Sequence, residues 1–253
     1  MKRLIHRAFR ACGFDIVRYR EQPAPAPLPS DLTEHDRSIL DRIAAYTMTS
    51  VERQISLIHS IRYLARHRIE GCIVECGVWR GGSSMASALA LIQEGDTGRD
   101  VYLFDTFEGM PPPKDVDRRT DGTPARMLLD RDPDRRGWNW AVAGIDEVRQ
   151  NMGSTGYPPD RVHYVKGPVE ATIPLHAPAG PIALLRLDTD WYDSTKHELT
   201  HLFSLLCQGG VLIVDDYGHW AGARRAVDEF FTSLARPYYL HRVDYTGRVL
   251  VKA

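Results

Sequence analysis

Only four cysteines occur in the chain, at positions 12, 72, 76 and 207, and they do not form the close-spaced framework of a disulfide-stapled or zinc-ribbon domain. That usage predicts a reduced, cytoplasmic protein. A run of about 18 apolar residues is missing too, so no segment is expected to span a membrane. The first residues lack the apolar stretch and small-residue cleavage site of a secretory signal. Neither charge sign is in excess: 32 Lys and Arg face 33 Asp and Glu, which leaves no global field to favour nucleic acid. Two nucleotide signatures are absent as well. No Gly-x-Gly-x-x-Gly follows an apolar run, and no Gly-Lys-Ser/Thr ends a glycine loop.

What is present begins with Cys72-Ile-Val-Glu-Cys-Gly-Val-Trp-Arg-Gly-Gly-Ser-Ser84, a buried strand, a glycine turn and a helix start in succession. Glycines at 77, 81 and 82 are read as letting backbone approach a ligand. Glu75 sits in a core-type strand, where a carboxylate costs several kcal/mol unless bound or paired. A ligand contact is one reading of it; a tight turn with one hydrogen-bonded glutamate is the other.

Ahead of this stretch, residues 1–20 form a basic amphipathic segment with Arg3, Arg7, Arg10, Arg18 and Arg20. It suits either weak contact with an anionic membrane surface or docking on its own domain or a sister subunit, and a detached arm favours a homo-oligomer. Prolines at 23, 25, 27 and 29 then make a stiff linker, so residues 1–30 are expected to stand apart from a domain over 31–253. Helical spacing over 32–68 predicts two helices, a cap over 31–70, that meet at Thr47-Met-Thr-Ser50. Ser50 either caps the second helix or faces a cofactor.

Apolar runs at Val101–Asp105, Val162–Lys166, Ile182–Asp188 and Val211–Asp216 continue the strand series, with helical patterns between them. Ser194 is expected to cap the helix before the last of these. A closing hairpin over 238–252 completes the pattern of an α/β, doubly wound sheet whose last strand is antiparallel. Residues 106–140 carry no clear period and are expected to form a lid anchored by Met110, Trp138 and Trp140.

Carboxyl ends of parallel strands line the ligand crevice. Asp105, ending the second strand, is therefore placed to accept two hydrogen bonds from a ribose diol. Asp188, Asp215 and Asp216 end the next two strands and converge if those strands are neighbours. Three carboxylates so close call for a cation, and all-oxygen ligation favours Mg²⁺, Ca²⁺ or Mn²⁺ over zinc. Asp190 and Asp193 are possible substitutes for one ligand, His219 is a candidate acid or base, and the alternative for Asp215 or Asp216 is a turn cap.

At these residues the chain resembles the macrocin O-methyltransferase family. The resemblance is carried by Val74-Glu-Cys-Gly-Val-Trp-Arg-Gly-Gly-Ser-Ser84, Phe104-Asp-Thr-Phe-Glu-Gly-Met-Pro111, Leu185-Arg-Leu-Asp-Thr-Asp-Trp-Tyr-Asp-Ser-Thr195 and Val214-Asp-Asp-Tyr-Gly218, and runs from about Tyr46 to Phe230. It implies a class I methyltransferase, Rossmann-like, seven-stranded sheet. It also implies S-adenosylmethionine and Mg²⁺ as cofactors and a sugar hydroxyl, flanked by a vicinal hydroxyl, as acceptor on a natural product or glycan precursor. By the same resemblance Glu75 and Gly77 line the cofactor pocket, Ser83 meets its methionine end, Asp105 holds its ribose, and Thr49 and Ser50 touch it. Asp188, Asp215 and Asp216 would bind the metal, with Asp188 also the general base. The distantly similar catechol O-methyltransferases place a lysine base three residues past the first aspartate, where this chain has Trp191, so the aspartate is the better candidate. An NAD(P)-dependent sugar oxidoreductase and a non-catalytic adenosylmethionine- or sugar-binding protein are the alternatives.

Overall fold

Helix and strand starts follow local chemistry. In the computed structural model, which describes residues 28–135 and 140–253, Thr33 opens α1 (Glu34–Ile43) with a capping box. Its hydroxyl accepts the Asp36 N–H at 3.2 Å, while the Asp36 carboxylate accepts the Thr33 N–H at 2.9 Å. Ser50 caps α2 (Val51–Arg66) by accepting the Arg53 N–H at 3.2 Å. The predicted basic arm of residues 1–20 lies outside the described residues. Contacts divide the chain into Met1–Leu32 and Thr33–Ala253, and the second unit holds the sheet.

Seven strands form one sheet in the order β3-β2-β1-β4-β5-β7-β6: β1 (Cys72–Cys76), β2 (Val101–Asp105), β3 (Val162–Lys166), β4 (Ile182–Leu187), β5 (Leu206–Val214), β6 (His241–Arg242) and β7 (Arg248–Val251). β1 to β5 pair in parallel, and β7 joins β5 antiparallel, as the sequence predicts. Two starts differ from expectation. β5 begins at Leu206, ahead of the Gly209-Gly210 pair, so those glycines lie inside the strand. α7 (Tyr192–Leu202) is preceded by Trp191, so Ser194 is no cap; it lies in the first turn, donating to the Trp191 carbonyl at 3.2 Å.

Period-two alternation decides which side chain faces what. Val74, Cys76, Leu185, Leu187, Leu212 and Val214 share one buried cluster with Leu199 and Leu202 of α7 and Val227 of α8 (Ala221–Thr232). Glu75, Arg186 and Asp215 have the opposite parity and point to the other face. There α3 (Gly82–Gln93) packs against α1 and α2, and its first ten residues are all buried. Such an all-round buried helix explains its run of small Ala and Ser residues.

Residues 106–140 are less irregular than the sequence suggests. They hold a short α4 (Ala125–Asp130) and two isolated bridges, Arg118 with Pro124 and Arg119 with Trp220. Met110 and Trp140 pack on a cluster of Ala125, Leu129, Trp191, Trp220 and Ala223, while Trp138 lies outside the described residues. Beyond them follow α5 (Ile145–Gly153) and α6 (Val169–Thr172). Among the described residues no helix is long and apolar enough to cross a membrane.

Candidate active site

In the order 3-2-1-4-5 the chain reverses its winding between β1 and β4, and crevices open outside the strand ends at such a point. A cavity of about 350 Å³ lies there, lined from β1, β2, β4 and β5 ends by Glu75, Gly77, Asp105, Asp188, Asp215 and Asp216, and from α3 by Ser83. That volume suits a small-molecule cofactor. Thr47, Met48 and Thr49 close one side, and Thr106, Gly109 and Met110 another. α3 starts at Gly81 with no side-chain cap; the Gly82 N–H donates to the Tyr46 carbonyl at 3.0 Å, and the Ser83 and Ser84 amides are the first-turn donors that could meet an anionic group.

Glu75 and Arg186 are direct neighbours in the β1–β4 register, and Arg186 donates to the Glu75 carboxylate at 2.7 Å. Ser84 donates to its other oxygen. Burial raises the Glu75 pKa, with Arg186 opposing. The same guanidinium reaches Asp188 at 2.8 Å and Asp215 at 2.8 Å. From α2, Arg53 pairs with Asp215 and, at 3.0 Å, with Asp244 of the hairpin turn. Sequence reasoning missed both arginines. The signal for Arg186 was available: an arginine inside Ile182-Ala-Leu-Leu-Arg-Leu is the same anomaly as a glutamate inside Cys72-Ile-Val-Glu-Cys.

The expected aspartate cluster forms. Carboxylate oxygens of Asp188, Asp215 and Asp216 all lie within 4.8 Å of one another. The two guanidiniums do not balance it, since Glu75, Asp188, Asp190, Asp215 and Asp216 face only Arg53 and Arg186. Burial pushes the Asp188 pKa up, Arg186 pulls it down, and Asp215 and Asp216 push it up again. Asp216 is raised by burial and then by Asp190 and Asp215. Asp190 is raised to about 7, mainly by burial. The Oδ2 of Asp216 is buried without a hydrogen-bond partner. An oxygen-only donor set, surplus negative charge and an orphaned acceptor fit a hard divalent cation. Asp193 does not belong to this group; it pairs with Lys114 away from the cavity.

Other predicted residues are placed less simply. Gly77, at φ +83°, lines the cavity but also abuts protein, since a Cβ there would overlap the Asp188 carbonyl. Its freedom lets the β1 and β4 turns touch. Gly82 likewise abuts the Tyr46 carbonyl. Asp105 lines the cavity, yet its carboxylate accepts N–H groups from Val78 at 2.6 Å, Trp79 at 3.0 Å and Phe107 at 2.6 Å. It thus holds the glycine turn, and with the Thr106 hydroxyl at 3.4 Å from Oδ1 its roughly four acceptor positions are all used, so a ribose hydroxyl would have to displace or share that longest contact. Thr49 lines the cavity; Ser50 does not, and its hydroxyl donates to Asp244 at 2.7 Å. His219 lines the cavity, with its pKa lowered by burial and by Arg119. Positive φ at Trp79 (+48°), Phe107 (+52°) and Asp190 (+66°) puts strained residues on the turns after β1, β2 and β4.

Comparison with known proteins agrees with this geometry. The profile of the macrocin-O-methyltransferase family matches residues 21–252, a wider span than the sequence blocks from Tyr46 to Phe230. A Streptomyces olivaceus 8-demethyl-8-(2,3-dimethoxy-alpha-L-rhamnosyl)-tetracenomycin-C 4'-O-methyltransferase is 32% identical over 233 residues, covering 90% of this chain and 85% of the relative. Mycinamicin III 3''-O-methyltransferase of Micromonospora griseorubida is 33% identical over 189 residues, or 74% and 70% of the two chains. Among solved structures, the O-methyltransferase NovP superposes with a TM-score of 0.70 at 30% identity over 82% of each chain. The calicheamicin methyltransferase CalS11, at 18% identity and a TM-score of 0.61 over 92% of this chain and 99% of that one, shares the fold. These matches remove the oxidoreductase and the non-catalytic alternatives. The chain belongs to the macrocin O-methyltransferase family and is an S-adenosylmethionine-dependent O-methyltransferase of class I fold.

Proposed function

We propose that the protein transfers a methyl group from S-adenosylmethionine to a sugar hydroxyl of a glycosylated small molecule, with Mg²⁺ held by Asp188, Asp215 and Asp216. One observation carries the reading: the three carboxylates cluster within 4.8 Å in the cavity that Glu75, Gly77, Ser83 and Asp105 also line. Relatives named for methylation of a rhamnosyl tetracenomycin and of mycinamicin III support a glycoside acceptor. When bound, the adenosylmethionine supplies an electrophilic methyl and Mg²⁺ supplies Lewis acidity toward a hydroxyl and its vicinal neighbour.

The chain itself positions and deprotonates. Asp188 takes the hydroxyl proton, held in place by the Arg186 guanidinium at 2.8 Å. Glu75 and the uncapped first turn of α3 orient the cofactor, Thr49 closes over it and Asp105 accepts from its ribose. Segment 106–140 acts as a lid that excludes water, since Met110 and Pro111 line the cavity while Trp140 anchors the segment.

The test is calorimetric titration of S-adenosylmethionine, followed by methyl transfer to a panel of deoxysugar glycosides with and without EDTA. Binding with EDTA-sensitive turnover is expected. Asp188→Asn removes base and metal charge together and should cut turnover by roughly 10²-fold or more. Near-native turnover by that variant would sink the assignment.

A further inference from the structure

Directly after Asp188 the chain makes a turn of an uncommon kind. The Trp191 N–H donates to the Thr189 carbonyl at 2.7 Å, a two-residue closure, and the central residue, Asp190, has φ +66°. A γ-turn with positive φ at a non-glycine is rare and strained, and such a conformation persists only where its surroundings over-determine it. Packing supplies part of the restraint. The Asp188 carbonyl abuts Gly77, and the Trp191 indole N–H donates to the Pro111 carbonyl at 3.0 Å.

A further restraint comes from α7. Glu198 is completely buried, and the Thr189 hydroxyl donates to its Oε1 at 2.9 Å. The other oxygen, Oε2, is buried with no hydrogen-bond partner. Leu199 and Leu202 beside it on the same helix are core residues, and an apolar side chain at 198 would cost the fold less than a carboxyl with one orphaned oxygen. Its contact with Thr189, between Asp188 and Asp190, is the one side-chain hydrogen bond it makes among the described residues.

We propose that Glu198 is a positioning residue for methyl transfer: through Thr189 it holds the strained turn that aims Asp188 and Asp190 into the cavity. The inference rests on the reading of Asp188 as base and metal ligand. Glu198 touches no substrate or cofactor, and acts only by fixing where the turn sits. Small displacements of such a turn weigh heavily, since a misplacement of about 1 Å at a reacting group can cost on the order of 10²-fold in rate.

The experiment compares Glu198→Met, Glu198→Gln and Thr189→Val in the full-length protein. Turnover, KM for S-adenosylmethionine, Mg²⁺ affinity by calorimetry and melting temperature are read for each. Glu198→Met should lower kcat by roughly 10- to 100-fold and weaken Mg²⁺ binding severalfold. Its melting temperature should be kept or raised, and KM for S-adenosylmethionine nearly unchanged. Thr189→Val should reproduce the kcat loss, and the double variant should be no worse than either single one. Glu198→Gln, which still accepts the Thr189 hydroxyl, should restore turnover. A drop in melting temperature with kcat and Mg²⁺ affinity intact would make Glu198 merely structural and overturn the proposal. Should Glu198→Met not fold, Thr189→Val and Glu198→Gln decide by the same readouts. Asp188→Asn run alongside separates the two readings: if it is inactive while Thr189→Val and Glu198→Met are wild-type, only the Glu198 inference falls, whereas an active Asp188→Asn removes the reading beneath it.

Discussion

Arg186 is shared by three carboxylates in a strand with no exposed residue, so its loss leaves Glu75, Asp188 and Asp215 uncompensated at once. Breaking a buried pair from one side costs about 3–5 kcal/mol, and Arg186→Met should lose at least that much in denaturant titration. The sign of its pH dependence is set by the partners. Burial already raises the Glu75 pKa and Arg186 opposes that rise, so without the guanidinium the carboxylate takes up a proton more readily. The deficit of the variant should therefore shrink as pH falls and grow as pH rises; a deficit independent of pH would contradict this account. Gly77 offers a second residue-scale prediction. At φ +83° and against the Asp188 carbonyl, Gly77→Ala should destabilise by more than about 1 kcal/mol and weaken Mg²⁺ binding, because the β4 turn must move. Glu75 was legible in the sequence as an anomaly, but its partner was not. The pairing requires β1 beside β4, and strands far apart in the chain announce no adjacency.

Two elements carry predictions of their own. α7 buries Glu198, whose pKa is raised well above the ordinary glutamate value by loss of solvent, with the Thr189 hydroxyl opposing. A group with a raised folded pKa contributes stability below its unfolded value of about 4.3 and loses it as pH climbs through the folded value. Glu198→Gln should therefore leave stability unchanged near pH 4 and raise it progressively at neutral and alkaline pH, as melting curves across pH would read. In segment 106–140, the Trp191 indole N–H on the Pro111 carbonyl ties the segment to the start of α7. Trp191→Phe keeps most of the packing and removes that donor. Faster trypsin cleavage at Arg118, Arg119 or Arg126, with a melting temperature nearly that of wild type, is the expected result; unchanged cleavage would mean that the aromatic cluster alone holds the segment.

Across the whole molecule the unbalanced charge of the site is the quantity to test. Carboxylates outnumber guanidiniums in the cavity, so a divalent cation that binds only the folded state should stabilise it. At 100 times its dissociation constant a ligand adds about 2.7 kcal/mol, on the order of 5–10 °C for a chain of this length. Mg²⁺ should raise the melting temperature by that much, EDTA should reverse it, and Asp216→Asn should abolish most of the gain. The sequence by itself determined the long helices and most strands, the parallel sheet with its antiparallel end, and which carboxylates stand at strand ends, because periodicity and strand termini are local properties of the chain. The short helices Ala125–Asp130 and Val169–Thr172 and the early start of β5 carry no such period. Tertiary structure alone decided that Arg186 and Arg53 enter the acidic cluster, that Gly77 is needed against the Asp188 carbonyl, that Ser50 turns away from the cavity, and that Glu198 lies under the Thr189 turn. Each of these depends on strand order and on helices packing across a sheet face, and contacts between residues distant in sequence have no local signature.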